Sequence, residues 1–133
     1  MNEAVDSATQ ALHSPLAVFR DYLAKGQLAY QHDAETGRAF FYPRVIGPGS
    51  GNPDLTWRIS TGVGTVYAVT VISPRGEAPY NVVLIDMDDG FRMMSRVEGI
   101  EVESIRIGMR VCARVHHPAD GQAPYPVFDA EVA

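Results

Sequence analysis

The chain has 133 residues, 46% of them hydrophobic and 20% charged, with a formal net charge of −5. That length supports one domain with a hydrophobic core rather than two independent ones, and the acidic balance argues against broad contact with a phosphate backbone. A lone Cys112 excludes an internal disulfide framework and any cysteine-rich zinc site.

Residues 1–13 show no clear apolar period and read as a loose lead-in. They carry acids and no Lys or Arg ahead of an apolar run, so neither a secretory signal nor a transit peptide is supported. No apolar run approaches the roughly 20 residues that span a bilayer. The expectation is a cytoplasmic protein without membrane contact.

Ser14 is placed to cap a helix with Pro15 as its first residue. Leu16, Phe19 and Leu23 then repeat at helical spacing, and Gly26 sits where a left-handed stop belongs. The apolar stripe faces either this chain's own core or a partner subunit. Next, Leu28 and Tyr30 alternate with small or polar residues, DAETG supplies a turn, and Arg38 to Tyr42 resumes as an aromatic strand. The reading is a hairpin over Gln27 to Tyr42. YPRVIGPGSGNPDLTW follows, with three Gly and three Pro in sixteen residues. Neither a helix nor a central strand can run through it.

Beyond Trp57 the chain changes character. GVGTVYAVTVI, YNVVLIDM, FRMMSRV, RVCARVH and YPVFDAEV are short, β-branched or alternating, and separated by turn signals. Asp88 to Gly90 is a tight-turn signal that makes the second and third strands antiparallel neighbours. GIEVESIRIGM, between the third and fourth, reads as a helical turn ending at Gly108. Five short strands with a longer connection after the third predict a small closed barrel of the OB type. In the fourth, Val111, Ala113 and Val115 point inward while Arg110, Arg114 and His116 point to water. The fold class is mainly β. Three regions result: residues 1–26 as lead-in and amphipathic helix, 27–57 as the hairpin and its loop, and 58–133 as the barrel.

No self-contained catalytic set is visible. His116 and His117 are adjacent, so on a strand they face opposite ways and cannot jointly grip a metal. Asp86, Asp88, Asp89, Glu101 and Glu103 lack the spacing of a calcium loop and read as solvated turn acids. Ser50 and Ser60 have no base assigned to them, and the Gly62 to Gly64 stretch precedes a strand rather than a helix, so it marks a bend or bulge instead of a phosphate loop.

FRDYLAKGQLAYQHDAETGRAFFYPR, GTVYAVTVISP, APYNVVLIDMDDGFRMMSRVEG and IRIGMRV, taken in order and spacing, resemble the DUF35 family of acyl-CoA-associated proteins. The resemblance covers Pro15 to Val132. It implies a rubredoxin-like zinc ribbon ahead of an OB fold. The ribbon's two CxxC pairs correspond here to Asp33 and Thr36, then Gly47 and Ser50, and every expected thiolate is absent. One carboxylate, two hydroxyls and a glycine do not make a structural zinc site, so the expectation is no zinc and no other cofactor. The hairpin then needs another support, because structural zinc contributes on the order of 10 kcal/mol to folded ribbons. Phe40, Phe41, Tyr42, Leu55 and Trp57 are the candidates for that support, by packing the hairpin onto the barrel.

The resemblance further implies a non-catalytic accessory subunit of a thiolase-superfamily complex (thiolase, synthase or aldolase), in which a thiolase-like subunit carries the nucleophile and this chain helps shape the acyl-CoA site. Homo- or hetero-oligomers fit that role. Arg44 is placed to pair with a CoA phosphate, with Phe41, Tyr42 and Pro43 as an apolar shelf and Tyr80 lining the same opening. The alternative is that Phe41 and Tyr42 are hairpin core and Arg44 a surface charge. A rival of another class is an OB-fold module for single-stranded nucleic acid using Tyr67, Phe91 and Arg92. The acidic total and the single lysine, Lys25, weigh against it. A third reading is a stand-alone enzyme using acids such as Asp86.

Overall fold

A computed structural model of the chain describes residues 14–131, so the expected lead-in over 1–13 lies outside the described residues. Helix α1 runs Pro15–Ala24. The Ser14 hydroxyl accepts from the Ala17 N–H at 3.1 Å, satisfying one of the orphan donors of the first turn. Gly26 ends the helix at φ +79°, donating to the Leu23 carbonyl. Val18, Phe19 and Leu23 are buried and Leu16 packs beside them, so the apolar stripe faces this chain's own core.

Strands β1 (Ala29–Asp33), β2 (Arg38–Phe40) and β3 (Thr56–Ile59) form one antiparallel sheet in the order β2-β1-β3. The expected hairpin is β1 and β2. Its third strand was not anticipated: β3 returns after the Gly/Pro loop and pairs along β1 from Ala29↔Ile59 to His32↔Thr56. β1 is thereby central, and nearly all of it is buried. Its alternate side chains serve two masters. Tyr30 turns toward the barrel and stacks on Phe91, while Gln31 and Asp33 turn to the loop over residues 44–52.

The barrel comprises β4 (Val63–Ile72), β5 (Tyr80–Met87), β6 (Arg92–Ser95), β7 (Val97–Glu98), β8 (Arg110–His116) and β9 (Tyr125–Ala130), in the order β6-β5-β4-β8-β9-β7. This is the five-stranded OB cylinder read from the sequence, with its third strand broken in two. β6 pairs antiparallel with β5, the chain kinks at Arg96, and β7 pairs parallel with β9, which closes the cylinder. At the kink the buried Asn81 side chain replaces backbone pairing: its Nδ2 donates to the Val97 carbonyl and its Oδ1 accepts from the Val97 N–H, both at 2.9 Å. The long connection after β7 holds one 3-10 turn, Val102–Ser104.

Val66, Val83, Ile85, Val111 and Phe128 fill the barrel with almost no exposure. Burying each such side chain contributes about 1.5–3 kcal/mol. The bulge in β4 falls at Tyr67, between Val66 and Ala68, rather than at the glycines. Gly64 answers a different need: a Cβ there would meet Ile85 and the Asp86 carbonyl.

Barrel and sheet are joined by rings. Phe19, Phe41, Phe91 and Tyr30 form a continuous series, with centroid separations of 5.2, 5.8 and 4.8 Å. Trp57 lies against Tyr22 of α1 at 5.8 Å. Of the aromatic supports expected, Phe41 and Trp57 take part in this packing, and Tyr30, Phe91 and Phe19 carry the rest. Tyr42 meets Phe41 edge-to-face at 5.7 Å and is 57% exposed.

Candidate functional site

The loop after β2 is fixed by side chains of β1. Gln31 is buried, and its amide acts as a surrogate strand: Nε2 donates to the Arg44 carbonyl at 2.8 Å and Oε1 accepts from the Arg44 N–H at 2.6 Å. The main chain of residue 44 is therefore held while its side chain is left outside. Arg44 makes no ion pair among the described residues. Tyr42, Val45 and Ile46 are all exposed around it, Val45 by 71%.

Of the residues expected to form a ligand shelf, Phe41, Tyr42, Pro43 and Arg44 are contiguous, with Phe41 turned into the ring series, Tyr42 and Arg44 exposed and Pro43 half-buried. Tyr80 does not join them. It opens β5, whereas Phe91 follows the opposite end of that strand, and seven residues of extended chain separate Tyr80 from Met87 by roughly 23 Å. Tyr80 lies instead on the outer face of β4, β5 and β6, where it and Met94 are exposed beside the half-buried Ile72, Val82 and Leu84.

Three of the four positions matched to absent zinc ligands come together. Asp33 is 1% exposed, and its Oδ2 accepts from the Ser50 hydroxyl at 2.5 Å. Its Oδ1 accepts from Asn52 Nδ2 at 3.0 Å and from the Glu35 N–H at 2.9 Å. Gly47 lies where any Cβ would collide with the Asp33 carboxylate and the Ser50 hydroxyl. Thr36 occupies the turn itself, accepting from the Arg38 N–H. The hydrogen bonds from Asn52 and then Ser50 hold the Asp33 carboxyl below the ordinary carboxylate range, against the opposing effect of burial. These residues do not fit zinc: one carboxylate is already engaged by donors and no second anionic or imidazole ligand accompanies it. Among the described residues no group of three or more His, Cys, Asp or Glu stands together.

Most of the remaining candidates are absorbed by pairing. Asp86 binds Arg92 through two hydrogen bonds, Asp88 binds Arg110 likewise, and Asp89 accepts from the Ser60 hydroxyl and the Thr61 N–H. The Arg92 and Arg110 hydrogen bonds hold Asp86 and Asp88 below the usual carboxylate range. Arg114 bridges Asp129 and Glu98, and His116 lies against Tyr125. Ser50 and Ser60 thus donate to carboxylates rather than to a base poised for catalysis. Phe91 is buried, and Arg92 lies over the Tyr67 ring at 3.6 Å, so the surface proposed for stacking nucleobases is already occupied by the protein itself. Gln31 and Asn52 were missed in the sequence because an amide carries no periodicity signal. The only hint was Asn52 within a glycine- and proline-rich loop.

A closed five-stranded OB cylinder fronted by a helix and a three-stranded sheet defines the architecture. Residues 57–116 match the family model described as ChsH2, C-terminal OB-fold domain. A solved chain described as "Ltp2-ChsH2(DUF35) aldolase" superposes with a TM-score of 0.78 at 27% identity, over 90% of this chain and 97% of that one. A DUF35 protein of unknown function from Sulfolobus solfataricus shares the fold, with a TM-score of 0.61 at 13% identity over 86% and 84% of the two chains. No curated protein matches the sequence. On these matches the barrel is similar to the ChsH2 C-terminal OB-fold domain, and the whole chain is similar in fold to solved proteins described as DUF35.

Proposed function

We propose that this chain is a non-catalytic accessory subunit of a thiolase-superfamily complex and helps shape its acyl-CoA site. The observation that carries the reading is the near end-to-end similarity to the Ltp2-ChsH2(DUF35) aldolase chain, which extends beyond the barrel to 90% of this protein. The pairing of Asp86, Asp88, Ser50 and Ser60 supports a helper rather than an enzyme. The exposed Tyr80 and Met94 on the outer face of β4, β5 and β6 are apolar groups of the kind a subunit brings to an assembly.

Within this reading Arg44 supplies a cation for a CoA phosphate, with Tyr42 and Pro43 beside it as an apolar shelf. Its fixed main chain lowers the ordering cost of such a contact. Tyr80 stands apart from that contact. The test is co-expression with a thiolase-type protein encoded beside this gene, followed by copurification and assay of acyl-CoA turnover. A stable pair that turns over acyl-CoA when neither chain does so alone supports the reading. Turnover by the isolated chain, or no retention of any thiolase-type neighbour, overturns it.

A further inference from the structure

Two turns of the loop region are built alike. Residues 33–37 close with the Gly37 N–H on the Asp33 carbonyl at 2.8 Å, and residues 47–51 close with the Gly51 N–H on the Gly47 carbonyl at 2.9 Å. Each ends in a glycine at φ +71°, a conformation that side chains disfavour. The turns face each other, and the Asp33 carboxylate lies between them, taking hydrogen bonds from Ser50 of the second turn and from the backbone N–H groups of Glu35 and Thr36 in the first. Asn52, just past the second turn, adds a further donor. The absence of a side chain at Gly47 is what makes room for the carboxylate.

The geometry points to Asp33 as a built-in substitute for a structural metal, with the polarity of the centre inverted. A metal site gathers anionic ligands around a cation. Here an anion is ringed by N–H and O–H donors that come from both turns, so the carboxylate ties them together as a central ion would. Charged acceptors of this kind bind more strongly than neutral ones, and leaving the surrounding donors unmet in a buried place is costly. Support of the loop therefore passes through Asp33, Ser50 and Asn52, in addition to the ring series that joins sheet and barrel. Positions 33, 47 and 50 meet at the carboxylate, and position 36 reaches it through its backbone N–H. Cysteine at all four would restore the ordinary polarity and admit a cation.

Hydrogen exchange on the full chain tests the clamp directly. In Asp33→Ala the Gly47 and Gly51 amides are expected to exchange at least about tenfold faster than in the parent, with the barrel amide of Ile85 unchanged. Unchanged exchange at Gly47 and Gly51 would overturn the proposal. So would parent protein that carries stoichiometric zinc and melts lower once a chelator removes it. The cage is tested with Co²⁺ on the variant carrying Asp33→Cys, Thr36→Cys, Gly47→Cys and Ser50→Cys. One equivalent bound, with the visible absorption of a tetrahedral thiolate site absent from the parent, supports the arrangement. A variant that binds none, or that fails to fold even with Co²⁺, removes the cage, and the exchange data decide the clamp on their own.

Discussion

Tyr30 and Phe91 stack with ring centroids 4.8 Å apart and planes 27° from parallel, one ring from the central strand of the small sheet and the other from the start of the β6 strand region. Both are buried. Their contact is the centre of the join between the two sheets. Phe91→Ala should lower stability by about 3–5 kcal/mol, read as a drop in the thermal midpoint. In a double-mutant cycle with Tyr30→Ala, a coupling of about 0.5–1.5 kcal/mol is expected. Strict additivity would show that the rings act separately.

Arg44 and Gln31 separate stability from binding. Gln31→Ala removes both main-chain contacts to residue 44 and should cost about 1–3 kcal/mol. Arg44→Ala should leave stability within about 0.5 kcal/mol, since its side chain is exposed. In the purified complex the same Arg44 change should weaken CoA binding about tenfold or more, as expected for a lost charge-assisted contact to phosphate. An unchanged dissociation constant by calorimetry would exclude Arg44 from the site.

Acid sensitivity should trace to Asp33. Its native pKa is lowered by Asn52 and Ser50, so its contribution is complete above the ordinary value of 3.8 and is lost as pH falls through the depressed native value. Arg38 is its cross-strand neighbour in register but forms no ion pair with it among the described contacts. Asp33→Asn should therefore flatten the stability profile below about pH 4. Asp86, Asp88 and Asp129 are lowered chiefly by their arginine partners and titrate with the same sign. They are nearly half exposed, so about 1 M salt should suppress their share more than that of the buried Asp33. Chemical denaturation across pH at two salt concentrations separates the two.

Arg114 looks well connected, with Asp129 on one side and Glu98 on the other. It is 44% exposed, and screening by water limits such pairs. Arg114→Ala should cost at most about 1 kcal/mol in urea unfolding. A larger loss would mean that the outer charge network of β7, β8 and β9 behaves as a unit.

Asn81 is the opposite case, a single neutral side chain with a structural duty. Asn81→Ala leaves the Val97 N–H and carbonyl without partners inside the barrel and should cost about 1–3 kcal/mol. The change should speed exchange of the Val97 amide in particular.

How much of this was legible in the sequence depends on the range of the interaction. The helix was readable because Ser14, Pro15, Leu16, Phe19, Leu23 and Gly26 act within a few turns of one another. The barrel strands were readable because alternation is local, as in Val111, Ala113 and Val115 against Arg110 and Arg114. β3 was not, since its partner β1 lies across the loop and nothing in Thr56–Ile59 itself names a neighbour. The break at Arg96 was hidden for the same reason: FRMMSRV reads as one strand until Asn81, far off in sequence, takes over the pairing at Val97. Tyr80 was placed at the same opening because it follows Pro79 at the start of its strand, and the length of β5 sets it apart from Phe41.

Gln31 grips only the peptide groups of residue 44, which has a consequence for how this protein can change over evolutionary time. The fold imposes almost nothing on the identity of that side chain. A lineage can rewrite the tip from basic to acidic or apolar, altering what it greets, while the strand beneath keeps the loop in place. Scaffold and specificity are inherited on separate residues.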